Sequence, residues 1–209
     1  MMNKVLADRR WGVPETLATG DESTNPLSVI RVWLRSDGTF PNNERYPLLV
    51  FKLAMEDPRR EPLEGEQLLV ANGWTAPWAW GVFSYHHYHS KAWEALVCVR
   101  GEADIQFGGP SGPVLQTSIG DLILIPPGVA HKQLQSHDDF TLLGSYPNET
   151  PSADTVRSAP SASQQESIDR CLVPASDPVF GENLMPWGAH FRALFEAPVL
   201  PEKKESCAI

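Results

Sequence analysis

The sequence predicts an all-β fold, a barrel or sandwich built from short strands. Nineteen prolines and fifteen glycines punctuate the 209 residues and cut them into short elements. From residue 83 onward, apolar runs alternate with turn signals such as Gly108-Gly109-Pro110-Ser111-Gly112 and Pro126-Pro127-Gly128. The length and an apolar content of 42% allow a real core without disulfide staples, and one domain is the expectation.

Taken in order, residues 1–28 are polar and lack periodicity, and they read as an arm. Residues 29–34 set Val29, Arg31 and Trp33 against Ile30, Val32 and Leu34, a strand pattern. Ser36-Asp37-Gly38 is a turn, and Pro41-Asn42-Asn43 is a second break. Residues 46–55 form an apolar run of the buried-strand type. Residues 64–72 predict a short helix stopped at Gly73, with Leu68, Leu69 and Ala71 on one side. Trp74, Trp78 and Trp80 follow; they either line a ligand pocket or plug one end of a barrel.

Strands are then expected over 83–89, 95–100, 103–107, 114–117, 122–125, 132–135 and 140–146. Residues 148–167 are rich in Ser, Pro, Ala and Glu and read as a surface linker. Residues 168–187 regain apolar content and are expected to pack back on the barrel. Residues 189–196 predict a short helix with Phe191 and Phe195 on one side, and 198–209 a loose tail. The organisation expected is an arm (1–28), a barrel (29–147), a linker (148–167) and a C-terminal arm with tail (168–209). No internal repeat duplicates the barrel.

A net charge of −9 disfavours nucleic acid and anionic membrane surfaces as partners. No apolar run approaches the ~18 residues of a membrane span. The first ten residues lack the apolar core of a secretory leader. Cys98, Cys171 and Cys207 are odd in number and scattered, which fits reduced thiols and a cytoplasmic location. Cys207 lies third from the end, so the prenylation pattern is not met.

The chemistry concentrates in residues 81–135. On a strand, residues of equal parity share a face, so Tyr85, His87 and His89 point one way and His86 and Tyr88 the other. His87 and His89 can therefore chelate one ion. Glu94 opens the next strand and can bring a carboxylate to it, and His131 supplies a distal imidazole. Three imidazoles and one carboxylate suit Fe(II), Mn(II), Ni(II), Co(II) or Zn(II). The alternative is that these histidines are polar core residues. His86 has the wrong parity for the ion. Cys98 shares Glu94's face and reads as a small core residue, with pocket lining as the alternative. Tyr85 and Gln133 either line the pocket or pack. His137 reads as a turn residue, and His190 lies outside the barrel. No nucleophilic triad or phosphate loop is present.

These residues resemble the two motifs of the cupin superfamily. Gly81, five residues, His87-Tyr88-His89, four residues, Glu94, six residues and Gly101 is similar to the first. Gly120, five residues, Pro126-Pro127-Gly128, two residues and His131 is similar to the second, with Gln135 where that family usually has Asn. Asp37-Gly38-Thr39-Phe40-Pro41-Asn42-Asn43, Asn72-Gly73-Trp74, His86-His87-Tyr88-His89-Ser90 and Asp177-Pro178-Val179-Phe180-Gly181 further resemble the YjlB-like cupins, a largely uncharacterised subgroup.

The resemblance implies a single RmlC-like jelly-roll barrel (a double-stranded β-helix) with short extensions holding minor helices. It implies one divalent metal ion on His87, His89, Glu94 and His131, a small-molecule ligand or substrate, and a homodimer. Two functions follow from it. One is a metalloenzyme: an Fe(II)- or Mn(II)-dependent dioxygenase-type oxidoreductase, or a metal-dependent isomerase, lyase or decarboxylase. Glu94 would be the group placed to move a proton, and no other catalytic residue is assigned. The other is a non-catalytic module that binds or senses a small ligand.

Overall fold

The sheet hangs on one long strand whose two faces serve different cores. The computed structural model describes residues 15–19, 27–52, 62–179 and 181. Among them are the strands β1 (Glu15–Thr19), β2 (Leu27–Leu34), β3 (Asn43–Lys52), β4 (Trp78–Trp80), β5 (Glu94–Phe107), β6 (Val114–Ser118), β7 (Leu122–Ile125) and β8 (His131–Ser145). Two helices join them, α1 (Pro62–Ala71) and α2 (Ala162–Arg170). The strands form one antiparallel sheet in the order β1-β2-β3-β7-β5-β8-β4, with β6 pairing β5 beside β7.

Both faces of the central strands are buried, which explains their nearly unbroken apolar runs. Leu48 and Val50 of β3, Leu96 and Cys98 of β5, and Ile123 and Ile125 of β7 join the inner core. Their odd-even neighbours Leu49, Phe51, Ala95, Val97, Leu122 and Leu124 join an outer core with Leu69 of α1, Trp74 and Trp93. The outer core is closed by residues 171–179. Trp93 Nε1 donates to the Leu172 carbonyl at 2.9 Å, and Trp74 Nε1 to the Ser176 carbonyl at 3.2 Å. Fully burying each such aliphatic side chain contributes about 1.5–3 kcal/mol.

Four expectations are corrected. The arm expected over 1–28 contains β1, which pairs with β2 in register Glu15↔Arg31 to Thr19↔Leu27, and β2 itself starts inside it. An edge strand needs a partner's backbone more than an apolar pattern, so polarity hid it. Residues 83–89 form no ladder strand; His87 and Tyr88 make isolated bridges, to His131 and Val156 respectively. The expected breaks near 101 and 136–139 are bends in continuous strands. Gly101 takes φ +62°, and a side chain there would run into the His137 carbonyl oxygen. Opposite it, Asp138 and Asp139 also have positive φ.

Residues 148–167, expected as a linker, include most of α2 and are fixed to the barrel. Ser161 caps α2 through a reciprocal bond pair with Gln164. Val156 and Ile168 are buried with Phe40, Tyr88 and Ala130. The capping-box spacing Ser161 to Gln164 was present in the sequence, but the small polar residues around it masked the signal. The expected helix over 189–196, the tail, His190, Cys207 and the end of the 46–55 run lie outside the described residues. Among the described residues, no helix is long and apolar enough to cross a membrane.

One polar side chain ties three loops together next to the inner core. Asn42 takes φ +51°, donates from Nδ2 to the Arg35 and Gly108 carbonyls at 2.8 and 3.0 Å, and accepts at Oδ1 from the Ala130 N–H at 3.1 Å. Ala130 immediately precedes His131. Asn42→Ala would leave these groups unpaired in a site where Asn42 is 1% exposed. The expected loss is roughly 2–4 kcal/mol, read as a lower denaturation midpoint in urea. A midpoint within experimental error of the unmodified protein would refute it.

Candidate metal centre

His87, His89 and His131 are each 6% exposed or less, and they converge on one point of the inner face. One ring nitrogen from each lies within 4.8 Å of the others. Two short backbone exchanges bring them together. His87 and His131 each donate their N–H to the other's carbonyl, at 3.2 and 2.9 Å, so their rings sit 4.1 Å apart. The Gly128 N–H donates to the His89 carbonyl at 2.8 Å, which ties the Pro-Pro-Gly turn to the first motif. His87 and His89 thus share a face, as strand parity predicts, even though no ladder forms.

Glu94 begins β5, paired on both sides because Ile125 of β7 lies opposite it and Ala95 faces Ser145 of β8. Its carboxylate is 3% exposed and lies 3.4 Å from His89 Nε2 and 3.3 Å from His131 Nε2. The Tyr146 hydroxyl donates to it at 3.4 Å. Burial opposes ionisation of Glu94, but His89 and His131 outweigh it and hold the carboxyl well below its ordinary range. Burial also disfavours a charged His89, yet Glu94 and Asp154 outweigh that and raise it. His87 goes the other way, pushed down to about 3 by burial and by the neighbouring imidazoles of His131 and His89.

The donor set fits a divalent ion. His87 Nδ1 faces the Tyr85 carbonyl at 3.3 Å, His131 Nδ1 the Val129 carbonyl at 3.1 Å, and His89 Nδ1 the Asp154 carbonyl. A carbonyl only accepts, so each Nδ1 carries the hydrogen and each Nε2 keeps its lone pair for the common point. His89 Nε2 and Glu94 Oε2 are buried without a hydrogen bond, atoms that a shared cation would satisfy.

A cavity of about 360 Å³ opens above the four groups. Its walls are mostly apolar: Trp78, Ala79, Trp80, Gly81, Val82, Phe83 and Leu96, with Tyr146 and Thr155 supplying hydroxyls. Of the tryptophans, Trp78 and Trp80 line this cavity, whereas Trp74 is buried in the outer core. Gly144 leaves room for the Trp78 ring, which lies against β8 where a side chain would stand.

The three pocket-lining candidates lie elsewhere. Tyr85 stacks on Phe83 outside the cavity, with the Arg157 guanidinium 3.8 Å over its ring. Cys98 is in the inner core below the site, because β5 carries it past Leu96. Gln133 shares parity with His131 but turns outward to accept from the Val82 N–H at 3.1 Å. His86 packs on Phe40, on the far side from the ligands. His137 sits exposed in β8 opposite Glu102. The sequence reading missed Tyr146, Thr155 and Asp154. None follows a spacing rule, because each reaches the site through tertiary packing from beyond the second motif.

A curled antiparallel sheet with three imidazoles and a carboxylate on its inner wall, drawn from the two motifs, defines a cupin. The chain is 38% identical over 148 residues to the uncharacterized protein YjlB of Bacillus subtilis (strain 168), spanning 70% of this chain and 87% of that protein. It belongs to the YjlB family of cupins. No family model matches the chain. Among solved structures, it is similar to a cupin 2 domain-containing protein from Halorhodospira halophila at 13% identity. That match has a TM-score of 0.29 and covers 78% of this chain and 98% of the other. It is also similar to RmlC from Streptococcus suis in complex with dTDP-D-xylose, at 12% identity and a TM-score of 0.26, covering 64% and 70%.

Burial pushes the Cys98 thiol up to about 12, and it donates weakly to the Arg100 carbonyl at 3.4 Å. Cys98 should therefore resist iodoacetamide in the folded protein at pH 8 and react once the chain is unfolded in urea. Peptide mass spectrometry reads both states, and rapid native alkylation of Cys98 would contradict its placement.

Proposed function

We infer that this protein is a metal-dependent enzyme acting on a small, largely apolar molecule that bears one or two oxygen donors. The observation that carries the reading is the convergence of three free Nε2 lone pairs and the Glu94 carboxylate at the floor of an apolar cavity. The cavity volume suits a small ligand. Trp78, Trp80 and Phe83 offer flat faces on which a planar substrate could lie, and Trp80 is 71% exposed at the mouth.

The bound ion would supply Lewis-acid polarisation of a substrate oxygen and, as iron or manganese, a route to dioxygen chemistry. The chain's own groups shape the rest. The Tyr146 phenol is raised by burial and by Glu94, so it stays protonated as a hydrogen-bond donor. Apart from the four ligands, the cavity lining holds no carboxylate, lysine or imidazole among the described residues. A base-dependent isomerase or lyase would need such a group to shuttle protons. The lining therefore favours the dioxygenase-type oxidoreductase. Two free cysteines among the described residues, Cys98 and Cys171, support a reducing compartment such as the cytoplasm.

Protein purified without chelators or an immobilised-metal column should contain one divalent ion per chain, and the His87→Ala/His131→Ala double variant should contain none. Retention of one ion per chain in the double variant would refute the ligand set. Affinity should fall as pH falls, because the ion displaces the proton that His89 holds at its raised pKa. The iron-loaded protein should consume oxygen with at least one member of a panel of small diketones, thiols and aromatic diols. Saturable ligand binding with no oxygen uptake would instead favour a non-catalytic binding module.

A further inference from the structure

Residues 154–157 contribute nothing to the four-group ligand set, yet they grip it at successive positions. The Asp154 carbonyl accepts from His89 Nδ1. The Asp154 carboxylate accepts from the Ser90 N–H at 2.7 Å and from the Ser90 hydroxyl at 2.6 Å. Thr155 lines the cavity. Val156 and Tyr88 each donate an N–H to the other's carbonyl, at 2.9 and 3.0 Å. Arg157 lies over Tyr85. The strap thus holds the residues on both sides of His89 and the His89 ring itself.

A strap that served only stability could stop at Val156, which is buried with Tyr88 and Phe40. Here the ring hydrogen of a ligand ends on it. The carbonyl that receives this hydrogen belongs to Asp154, and the Asp154 side chain is pinned to the backbone one residue beyond His89. Side chain, carbonyl and imidazole form a closed loop spanning 65 residues of sequence. Ser90 is fully buried, and the Asp154 carboxylate takes both its N–H and its hydroxyl.

Resting on the metal reading above, we propose that Asp154 is a positioning residue: its clamp on Ser90 sets the carbonyl that orients the His89 imidazole, with Nε2 toward the ion. Partners of this kind typically account for about 10–100-fold in metal affinity. Removing the carboxylate frees the Asp154 backbone to move, and the imidazole then loses its fixed tilt and tautomer. An asparagine at the same position keeps an oxygen for the Ser90 N–H and leaves the clamp closed.

Co(II) titration of the folded, chelator-stripped protein against a competing chelator tests the idea, with the visible absorption bands as a second readout. Asp154→Ala should weaken Co(II) binding about 10–100-fold and shift the bands, and Asp154→Asn should restore both to within about threefold. If Asp154→Ala fails to fold, Ser90→Ala carries the test. It deletes only the hydroxyl bond and should weaken Co(II) binding about threefold with shifted bands. The proposal is overturned if Asp154→Ala, or in its place Ser90→Ala, matches the unmodified protein in affinity and bands. It is equally overturned if Asp154→Asn loses as much as Asp154→Ala. Failure of the unmodified protein to bind Co(II) overturns the metal reading, and this proposal with it, and is distinct from a loss confined to the variants.

Discussion

Glu94 carries an ionised carboxylate at 3% exposure, and burying such a charge is costly unless positive charge answers it. The answer comes from the imidazoles of His89 and His131, on two separate pieces of chain, and much of the architecture follows from bringing them there. β5 is paired on both edges beside Glu94, which fixes the backbone that carries the carboxylate. β8 begins at His131 and is locked to His87 by reciprocal backbone bonds. The turn before it is held from the other side, by Asn42 to Ala130 and by Asn43 Nδ2 to the Pro127 carbonyl at 2.9 Å. Glu94 and Asp154 favour the charged form of His89, and a bound cation would compete with that proton. At His87 burial and the neighbouring imidazoles outweigh Glu94, and the ring stays neutral across the ordinary range.

The sequence exposed the site better than it exposed the elements around it, and the reason is physical. Ligand placement depended on parity over His87, Tyr88 and His89, a local property that survives even where no ladder forms. Glu94 follows a short turn and needs only the next strand to start on time. Strand limits depended on what pairs with what. Gly101 looked like a break because a glycine between apolar runs usually is one. It is a bend because Asp138 and Asp139, opposite it, adopt matching positive φ and keep β8 in contact. That compensation lies in a different strand and has no local signature.

Polar residues were misjudged most. Asn42, Asn43 and Asp37 read only as turn formers. Asp37 does close a turn, through Oδ1 to the N–H groups of Thr39 and Phe40. The two asparagines reach more than 60 residues along the chain to satisfy loop backbone. A short side chain with donors and acceptors can do either job, and only the fold decides which. The same ambiguity concealed Asp154, which sits in a stretch whose composition argued for a linker.

The strap also alters how the site is assembled. Glu94 and His131 are in place once β5 and β8 have paired, and that pairing is antiparallel and extensive; His87 is then tied on by its bridge to His131. On the proposed role of Asp154, the orientation of His89 follows residues 154–157, which dock through Tyr85, Tyr88, Ser90, the His89 ring and the small cluster around Phe40. A contact made across 65 residues carries a loop-closure cost, and here few apolar groups repay it. Local opening of the strap is therefore cheaper than opening of the sheet. Such an opening would release one imidazole while leaving Glu94 and His131 held by the ladder and His87 by its bridge to His131. On that proposal the tightness of the site would follow its least stable neighbour, while the strongly paired strands fix where the site lies.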